Sequence, residues 1–254
     1  MKKYYVSIII FILLLPVYVC AGEYVLVKGK GVEVCEAYKK NLNSFNLHYE
    51  YVMACERKIN PKFTDFKKPE WKEIDLWENR EFLKKVEHFL GEYYYDPEKN
   101  TKDWEKLLKD RIKEDTLYRT TIYITEMDIN NDGKKENVIQ YKNGYCPGGN
   151  YYGAALLVLN DDKGDINIEK TKPLLQNYRS LKNGPLSEGW EFAMYDVFVY
   201  KNVIYFDRWS GNQWPGGKLG KEKLKLLKVF VTETDEKANI NTEEICQYKF
   251  RSTK

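Results

Sequence analysis

The chain has 254 residues, of which 31% are charged and 43% hydrophobic, and its 41 basic residues nearly balance its 38 acidic ones. Lysine and glutamate alternate throughout, so no basic stripe forms and the sequence lacks the electrostatic footprint of a nucleic-acid-binding protein. The length suits one large domain or two small ones, and no linker-like segment divides it.

The first 21 residues have the pattern of an export signal. Two lysines precede an apolar run over residues 4–19, and Val19 and Ala21 are small enough for the positions before a signal-peptidase cut. We predict cleavage after Ala21 and a periplasmic or extracellular address; loss of the two lysines lowers the net charge from +3 to +1. An uncleaved membrane anchor would need about 20 apolar residues, which is more than the run over residues 4–19 provides. A lipid-modified Cys20 is the third reading, which the bulk of Val19 disfavours.

Four cysteines remain after cleavage, an even number that favours disulfide bonds in an exported chain. The sequence has no Cys-x-x-Cys pair and only two histidines, which argues against a zinc site. Four cysteines allow three connectivities. We predict Cys35 with Cys55 and Cys146 with Cys246, because the first bridge closes a local loop and the second joins the middle of the chain to its end.

The first part of the exported chain, residues 22–118, is predicted to be rich in helix. Apolar residues recur there at helical spacing in three stripes. The stripes contain Val34, Tyr38, Leu42 and Phe45, then Phe82, Val86, Phe89 and Leu90, then Trp104, Leu107, Leu108 and Ile112. Residues 58–71 carry prolines and aromatics without a period, so we predict an extended connector packed by its own aromatic residues, which are Phe63, Phe66 and Trp71.

The second part, residues 119–254, is predicted to be rich in strand. Its β-prone runs are 120–127, 137–142, 154–159, 166–170, 191–200, 203–208, 224–234 and 245–251. Turn residues separate several of them, at 160–165 and at Lys201-Asn202, which predicts sequential hairpins. We therefore predict a single exported domain over 22–254 of the α+β class, in which N-terminal helices pack on a C-terminal antiparallel sheet or on two packed sheets.

A short polar loop between two predicted strands carries the strongest motif. Oxygen-bearing side chains stand at loop positions one, three, five and nine, and a glycine at position six allows a sharp turn, which is the pattern that calcium requires. The candidate ligands are Asp128, Asn130, Asp132 and Glu136. An EF-hand is disfavoured, because Ile139 occupies position twelve and the flanking segments are predicted strands.

The pattern Asp-x-Asn-x-Asp-Gly-x-x-Glu between two strands resembles the calcium loops of FG-GAP and VCBS-type secreted β-repeats. The resemblance covers residues 128–136 and implies that the four candidate side chains bind Ca²⁺ within a β-hairpin. The alternative is a turn whose Asp and Asn side chains bind their own backbone amides without a metal. A metal held by one tight loop would brace the hairpin rather than catalyse a reaction.

Two glycine-rich aromatic segments, 145–153 and 208–217, are candidate ligand surfaces. Aromatic rings next to amide side chains suit carbohydrate or peptide ligands. The residues that we single out are Tyr151, Tyr152, Trp209 and Trp214. The alternative is that the tryptophans pack over the edge of the sheet while the glycines turn the chain.

These features favour a non-enzymatic binding or interaction protein with a protein or glycan ligand, a structural calcium ion and no membrane span after signal cleavage. One alternative is a secreted hydrolase that acts on cell-envelope or glycan material, using acids beside the aromatic segments such as Glu188, Glu191 or Asp207. Two carboxylates about 5 to 10 Å apart beside Trp209 or Trp214 would favour that enzyme. A purely structural envelope component is the third hypothesis.

Overall fold

A computed structural model describes residues 22–45, 58–90, 104–113, 120–143, 153–160, 164–174, 190–213, 226–234 and 240–252. Within these ranges the chain forms ten strands and four helices. In chain order they are β1 (Gly22–Lys28), α1 (Glu33–Asn43), β2 (Phe66–Lys67), β3 (Lys72–Glu73), α2 (Arg80–Leu90), α3 (Trp104–Lys113), β4 (Thr120–Met127), β5 (Glu136–Asn143), β6 (Gly153–Val158), α4 (Ile168–Leu174), β7 (Trp190–Tyr200), β8 (Val203–Gln213), β9 (Leu226–Thr234) and β10 (Ile240–Ser252).

The prediction of an α+β fold with an N-terminal helical layer is wrong, because the described part of the chain is mostly β, with 48% strand against 25% helix. Three strands come from the part of the chain that was predicted to be helical. β1 pairs with β10, β2 with β7 and β3 with β4, so this part is built into the sheet. Helical periodicity correctly located α1, α2 and α3. It missed strands whose partners lie far away in sequence.

The strands form one hydrogen-bonded sheet in the order β1-β10-β9-β8-β7-β6-β5-β4-β3, and β2 pairs separately with β7. Every neighbouring pair is antiparallel except β6 and β7, which run parallel. The tight β7–β8 turn at Lys201 and Asn202 has positive φ at both residues, 48° and 67°. Turns of this kind match the twist of the flanking strands, which confirms the hairpin predicted there.

The sheet curves into a half-barrel whose two halves share a core. Strands β4 to β6 contribute Met127, Val138, Leu156 and Val158 to this core, and strands β7 to β9 contribute Tyr195, Val197, Phe206 and Phe230. Helix α4 adds Leu174. The segment 166–170 was predicted to be a strand; only Ile166 forms a bridge, with Leu159, and α4 begins at Ile168.

Helices cover the outer faces of both halves. On β4 to β6, Leu83 and Val86 of α2 and Leu108 of α3 meet Ile139 and Leu157. Leu156 faces the shared core and Leu157 faces these helices, because successive strand residues point to opposite faces. Two buried faces explain the unbroken apolar run of β6. No helix in the described ranges has the length and apolar content needed to cross a bilayer.

On the other half, α1 packs against β1, β10 and the neighbouring strands. Tyr38 is fully buried and stacks on Phe198, with ring centroids 4.5 Å apart. Phe66 is buried in the same cluster and Phe63 packs against it. The connector was predicted to be packed by its own aromatic residues, whereas Phe66 lies in β2 within this cluster and Trp71 packs against the shared core.

One disulfide bond joins the two ends of the chain. Cys35 in α1 bonds Cys246 in β10 across a sequence separation of 211, with Cα atoms 5.6 Å apart. The predicted pairing of Cys35 with Cys55 and of Cys146 with Cys246 is therefore wrong. Economy of loop length favoured the local bridge, whereas the pairing of β1 with β10 brings α1 beside the last strand. Cys55 and Cys146 lie outside the described residues.

Candidate metal loop and ligand-binding segments

The candidate calcium loop connects β4 to β5 at one end of the half-barrel. The two strands pair in register from Thr120 with Asn143 to Met127 with Glu136, so the loop spans the residues between Met127 and Glu136. Asn131 has φ 57° and Gly133 has φ 88°. Both residues tolerate the left-handed conformation, which lets the chain reverse within a few residues.

Within the loop, two aspartates bind backbone amides. The two carboxylate oxygens of Asp128 accept the N–H groups of Asp132 and Gly133, both at 2.8 Å. Asp132 accepts the N–H of Lys134 at 2.8 Å and the side-chain amide of Asn130 at 2.8 Å. Asp and Asn side chains that bind nearby backbone amides in this way are common in turns.

Two of the candidate ligands are buried, Asn130 at 1% and Glu136 at 4% exposure. One of the Glu136 oxygens accepts the N–H of Ile129 at 3.2 Å, and the other binds the ammonium group of Lys170 in α4 at 2.7 Å. Burial raises the pKa of Glu136, although the Lys170 ammonium opposes that rise. The lysine therefore supplies a positive charge next to the site where a cation would be held.

The pKa of Asp132 shifts in the opposite direction. The hydrogen bond from the Lys134 amide, followed by that from the Asn130 side chain, lowers the pKa of Asp132. A carboxylate that stays ionised is the form that binds calcium. Among the residues that the structure describes, no three His, Cys, Asp or Glu side chains converge in a group able to hold a metal ion.

The same loop is fastened to the other half of the sheet, which the sequence motif did not indicate. The side-chain oxygen of Asn131 accepts the N–H of Ile204 in β8 at 2.9 Å. Its amide nitrogen donates to the carbonyl of Ile204 at 3.2 Å and to the carbonyl of Thr232 in β9 at 3.1 Å. The Thr232 hydroxyl donates to the carbonyl of Ile129, and that of Thr234 to the carbonyl of Asn130 at 3.3 Å.

We call this set of contacts between the 128–136 loop and strands β8 and β9 the clasp. It joins the two halves of the sheet, since β4 and β5 belong to one half and β8 and β9 to the other. Ile129 and Asn130 are 0% and 1% exposed. The first part of the loop is therefore buried against β8 and β9, whereas residues 132–135 are exposed.

The predicted aromatic surface is only partly within the described residues. Trp209 is 6% exposed and belongs to the core beneath α1, so it does not present its ring to a ligand. This placement corrects the assignment of Trp209 to a binding surface, because strand β8 extends through it and points its side chain inward. Tyr151, Tyr152 and Trp214 lie outside the described residues.

The strand ends next to the two glycine-rich aromatic segments lie at the same end of the sheet. Asn143 at the end of β5 is the partner of Gly153 at the start of β6. Trp190 at the start of β7 is the partner of Gln213 at the end of β8. β6 and β7 run parallel, so these ends lie on the same side, opposite to the clasp.

Two carboxylates occupy facing positions on β7 and β8. Asp196 and Asp207 are directly opposite in the register, and opposed Cβ atoms in such pairs lie roughly 5 Å apart. Asp207 is fully buried and accepts the hydroxyl of Tyr38 at 2.6 Å, whereas Asp196 binds Lys68 at 2.8 Å. Of the acids singled out from the sequence, Glu188 and the side chain of Glu191 lie outside the described part of the structure.

None of the family models, curated proteins or solved structures with which the chain was compared matches it. No family therefore assigns roles to the loop or to the buried carboxylates. The function is inferred from the arrangement of the residues themselves.

Proposed function

We propose that the protein is an exported binding protein whose half-barrel presents segments 144–152 and 214–225 to a protein or glycan ligand. The observation that carries this proposal is the common location of the strand ends that flank both segments. Loops at one end of a rigid β-scaffold are a frequent location for binding residues. Tyr151, Tyr152 and Trp214 are the proposed contact residues, since aromatic rings supply flat apolar area for sugars and peptides.

The disulfide supports the proposed export. Bonds such as Cys35–Cys246 form and persist in oxidising compartments, which include the periplasm and the cell exterior. The N-terminal pattern of two lysines followed by an apolar run points in the same direction. A bridge between the first helix and the last strand also suits a protein that must keep its binding surface in place outside the cell.

A glycan array tests the binding proposal. We expect the wild-type protein to bind a subset of envelope glycans, and the Tyr151→Ala/Tyr152→Ala/Trp214→Ala variant to lose at least tenfold in affinity. Tyr123→Ala is the matched control, because Tyr123 is a half-buried aromatic residue of β4 outside both segments. Equal binding by the triple variant and wild type would refute the assignment of these residues.

A hydrolase is the second candidate, favoured by the facing positions of Asp196 and Asp207. A retaining glycosidase holds its two carboxyl groups about 5 to 5.5 Å apart, and two acids at facing strand positions are compatible with that chemistry. The burial of Asp207 beneath Tyr38 fits a structural role better, since a catalytic carboxylate must reach its substrate. Incubation of the protein with the glycans that it binds on the array discriminates the two candidates. Release of new reducing ends by the wild-type protein, and not by the Asp196→Asn variant, would establish the enzyme.

We further propose that the 128–136 loop binds calcium as a structural brace. Asp128, Asn130, Asp132 and Glu136 are the proposed ligands, and the clasp supports the bracing role because it already links the two halves of the sheet through this loop. The calcium ion would bind those lone pairs of the side-chain oxygens that do not accept hydrogen bonds within the loop. Lys170 would have to move away from Glu136 for that residue to join the ligands.

Thermal unfolding with calcium and with a chelator tests the brace. Binding to the folded state alone stabilises it by about 2.7 kcal/mol at a free concentration of 100 times Kd. We therefore expect a higher Tm in calcium for wild type, and no calcium effect in the Asp128→Ala/Asp132→Ala variant. Asp165→Ala controls for loss of an acid in another turn. A wild-type Tm that is the same with calcium and with chelator would contradict the proposal.

A further inference from the structure

A lysine of helix α4 lies against the 128–136 loop. Its ammonium nitrogen, Nζ of Lys170, is 2.7 Å from Oε1 of Glu136, and the two side chains are 31% and 5% exposed respectively. A buried carboxylate needs a positive partner, because an isolated charge is costly to remove from water. In this structure the positive partner comes from an element outside the loop.

The charge of Lys170 also acts on a second candidate ligand, Asp132. Hydrogen bonds from the Lys134 amide and then from the Asn130 side chain are the main causes of the lowered pKa of Asp132. The Lys170 ammonium adds to this effect. Burial is the main cause of the raised pKa of Glu136, and the negative charge of Asp132 adds to it. The two carboxylates therefore repel each other, and one ammonium group attracts both.

The start of α4 determines where Lys170 lies. Asn167 precedes the helix, and its side-chain oxygen accepts the N–H of Lys170 at 3.0 Å. A side chain at this position satisfies an amide of the first turn that has no partner within the helix. The N–H of Asn167 donates to the carbonyl of Val158 at 2.8 Å, which fixes the start of the helix on β6.

The body of α4 is held in the core, whereas the Lys170 side chain reaches solvent. The Thr171 hydroxyl accepts the N–H of Val158 at 3.0 Å and donates to the Val158 carbonyl at 3.3 Å. Thr171 and Leu174 are both 0% exposed. Lysine carries its charge on a flexible four-carbon stem. The ammonium group can therefore leave Glu136 for solvent while the helix stays in place.

An ammonium group and a calcium ion compete for the same carboxylate oxygens. Oε1 of Glu136 contacts the Lys170 ammonium, and the other oxygen accepts the N–H of Ile129. Calcium bound to Glu136 would displace the ammonium, because calcium takes carboxylate oxygens as direct ligands and like charges repel at short distance. The energy of the Lys170–Glu136 contact is then lost when the ion binds.

We propose that the Lys170 ammonium and calcium are alternative occupants of the 128–136 loop, so that Lys170 braces the loop without calcium and sets its calcium affinity. The inference rests on the proposed calcium site and adds the residue that regulates it. Its support within the structure is that a cation from another element already contacts these carboxylates. Its direct consequence is that removal of the Lys170 charge strengthens calcium binding.

Isothermal titration calorimetry with calcium chloride tests this consequence. We expect Lys170→Met and Lys170→Gln to bind calcium roughly tenfold more tightly than wild type, because a competing positive charge close to the ion is removed. Lys170→Arg keeps the charge and should keep the wild-type affinity. Lys172→Met is the matched control, since Lys172 is an exposed lysine of the same helix that pairs with Glu169.

The same titrations separate the role of Lys170 from the calcium site itself. Equal calcium affinity in wild type, Lys170→Met and Lys170→Gln would overturn the role of Lys170 and leave the calcium site in place. Binding by the two uncharged variants alone would support the role of Lys170 and contradict calcium binding by the native loop. Absence of binding in all of these proteins would overturn both.

A double-mutant cycle in the presence of chelator tests the calcium-free state. Lys170→Met and Glu136→Gln each remove one partner of the pair, so each should lower the urea midpoint. The double variant should lose less than the sum of the two single shifts, because the effects of two contacting residues are not additive. Additive shifts would overturn the proposal, since Lys170 would then not hold Glu136 in the absence of calcium.

Discussion

At the scale of single residues, a glycine next to the disulfide shows how closely the ends of the chain approach. Gly29 has φ 89°, and a Cβ added there would lie 2.5 Å from the carbonyl oxygen of Ile245 and 2.6 Å from Sγ of Cys35. Gly31 has a similar φ of 82°, with open space around it. The two glycines share a backbone conformation and differ in their surroundings.

Substitution of the two glycines should separate strain from steric overlap. We expect Gly29→Ala to lower the free energy of unfolding by roughly 2 to 4 kcal/mol, because left-handed strain and overpacking add. Gly31→Ala is the control and should cost about 1 kcal/mol from strain alone. Urea unfolding measures both. Equal losses for the two variants would show that the contact with Cys35 has no consequence for stability.

Residue patterns in the sequence correctly identified many core positions, including Val34, Tyr38 and Leu42 along α1. They failed for Trp209, since an aromatic residue beside glycines reads equally well as a loop or as a strand end. They also failed for Asn131, which looked like a spacer between candidate ligands. Its bonds to Ile204 and Thr232 depend on strands that are remote in sequence.

At the scale of elements, the β4–β5 hairpin acts as a connector between the halves of the sheet. Its loop reaches the start of β8 and the end of β9 through the side chain of Asn131. The left-handed backbone at Asn131, φ 57°, directs that side chain out of the hairpin. An asparagine serves both needs, since it tolerates this conformation and carries a donor and an acceptor.

The clasp can be opened by one substitution. We expect Asn131→Gly to lower the free energy of unfolding by roughly 2 to 3 kcal/mol, because three side-chain hydrogen bonds at about 1 kcal/mol each are lost while glycine keeps the backbone conformation. Asn137→Ala, in β5 of the same hairpin, is the comparison.

Hydrogen exchange at Ile204 locates the effect of Asn131→Gly. The N–H of Ile204 donates to Asn131, so its exchange should accelerate more than that of amides in the middle of β8. An unchanged rate at Ile204, together with wild-type stability, would show that the clasp does not hold the hairpin to β8.

Element types were largely predictable from periodicity and turn chemistry. β4 was predicted as residues 120–127 and is observed as Thr120–Met127, since β-branched residues and flanking polar turns mark its limits. β1 to β3 were missed because they are short or lie beside helical stripes. Strand 166–170 was predicted wrongly, since seven residues that form α4 give too little sequence to reveal a helical period.

At the scale of the whole molecule, the two ends of the described chain are neighbours. Gly22 is the register partner of Ser252, and the disulfide joins α1 to the strand that β1 pairs with. Tyr248 in that strand donates its hydroxyl to the carbonyl of Cys35 at 2.9 Å. Burial raises the pKa of Tyr248, so the phenol stays neutral and keeps donating this bond.

Removal of the disulfide should weaken the whole fold. We expect Cys35→Ser/Cys246→Ser to lower the free energy of unfolding by roughly 2 to 5 kcal/mol, because a bridge over a long loop restricts the unfolded chain strongly. Urea unfolding measures the change, and wild-type protein under reducing conditions should show a similar loss. Peptide mapping without reduction that links Cys35 to Cys55 would contradict the observed pairing.

By itself, the sequence determined the local properties of this protein: three helical stripes, most strands of the second part, the tight turn at Lys201-Asn202, and a loop rich in oxygen ligands. These follow from interactions within a few residues. Only the tertiary structure decided the Cys35–Cys246 pairing, the edge position of β1, the clasp at Asn131 and the burial of Trp209. Each of these depends on which distant strands become neighbours, and strand pairing is set by the packing of a shared core rather than by local propensity.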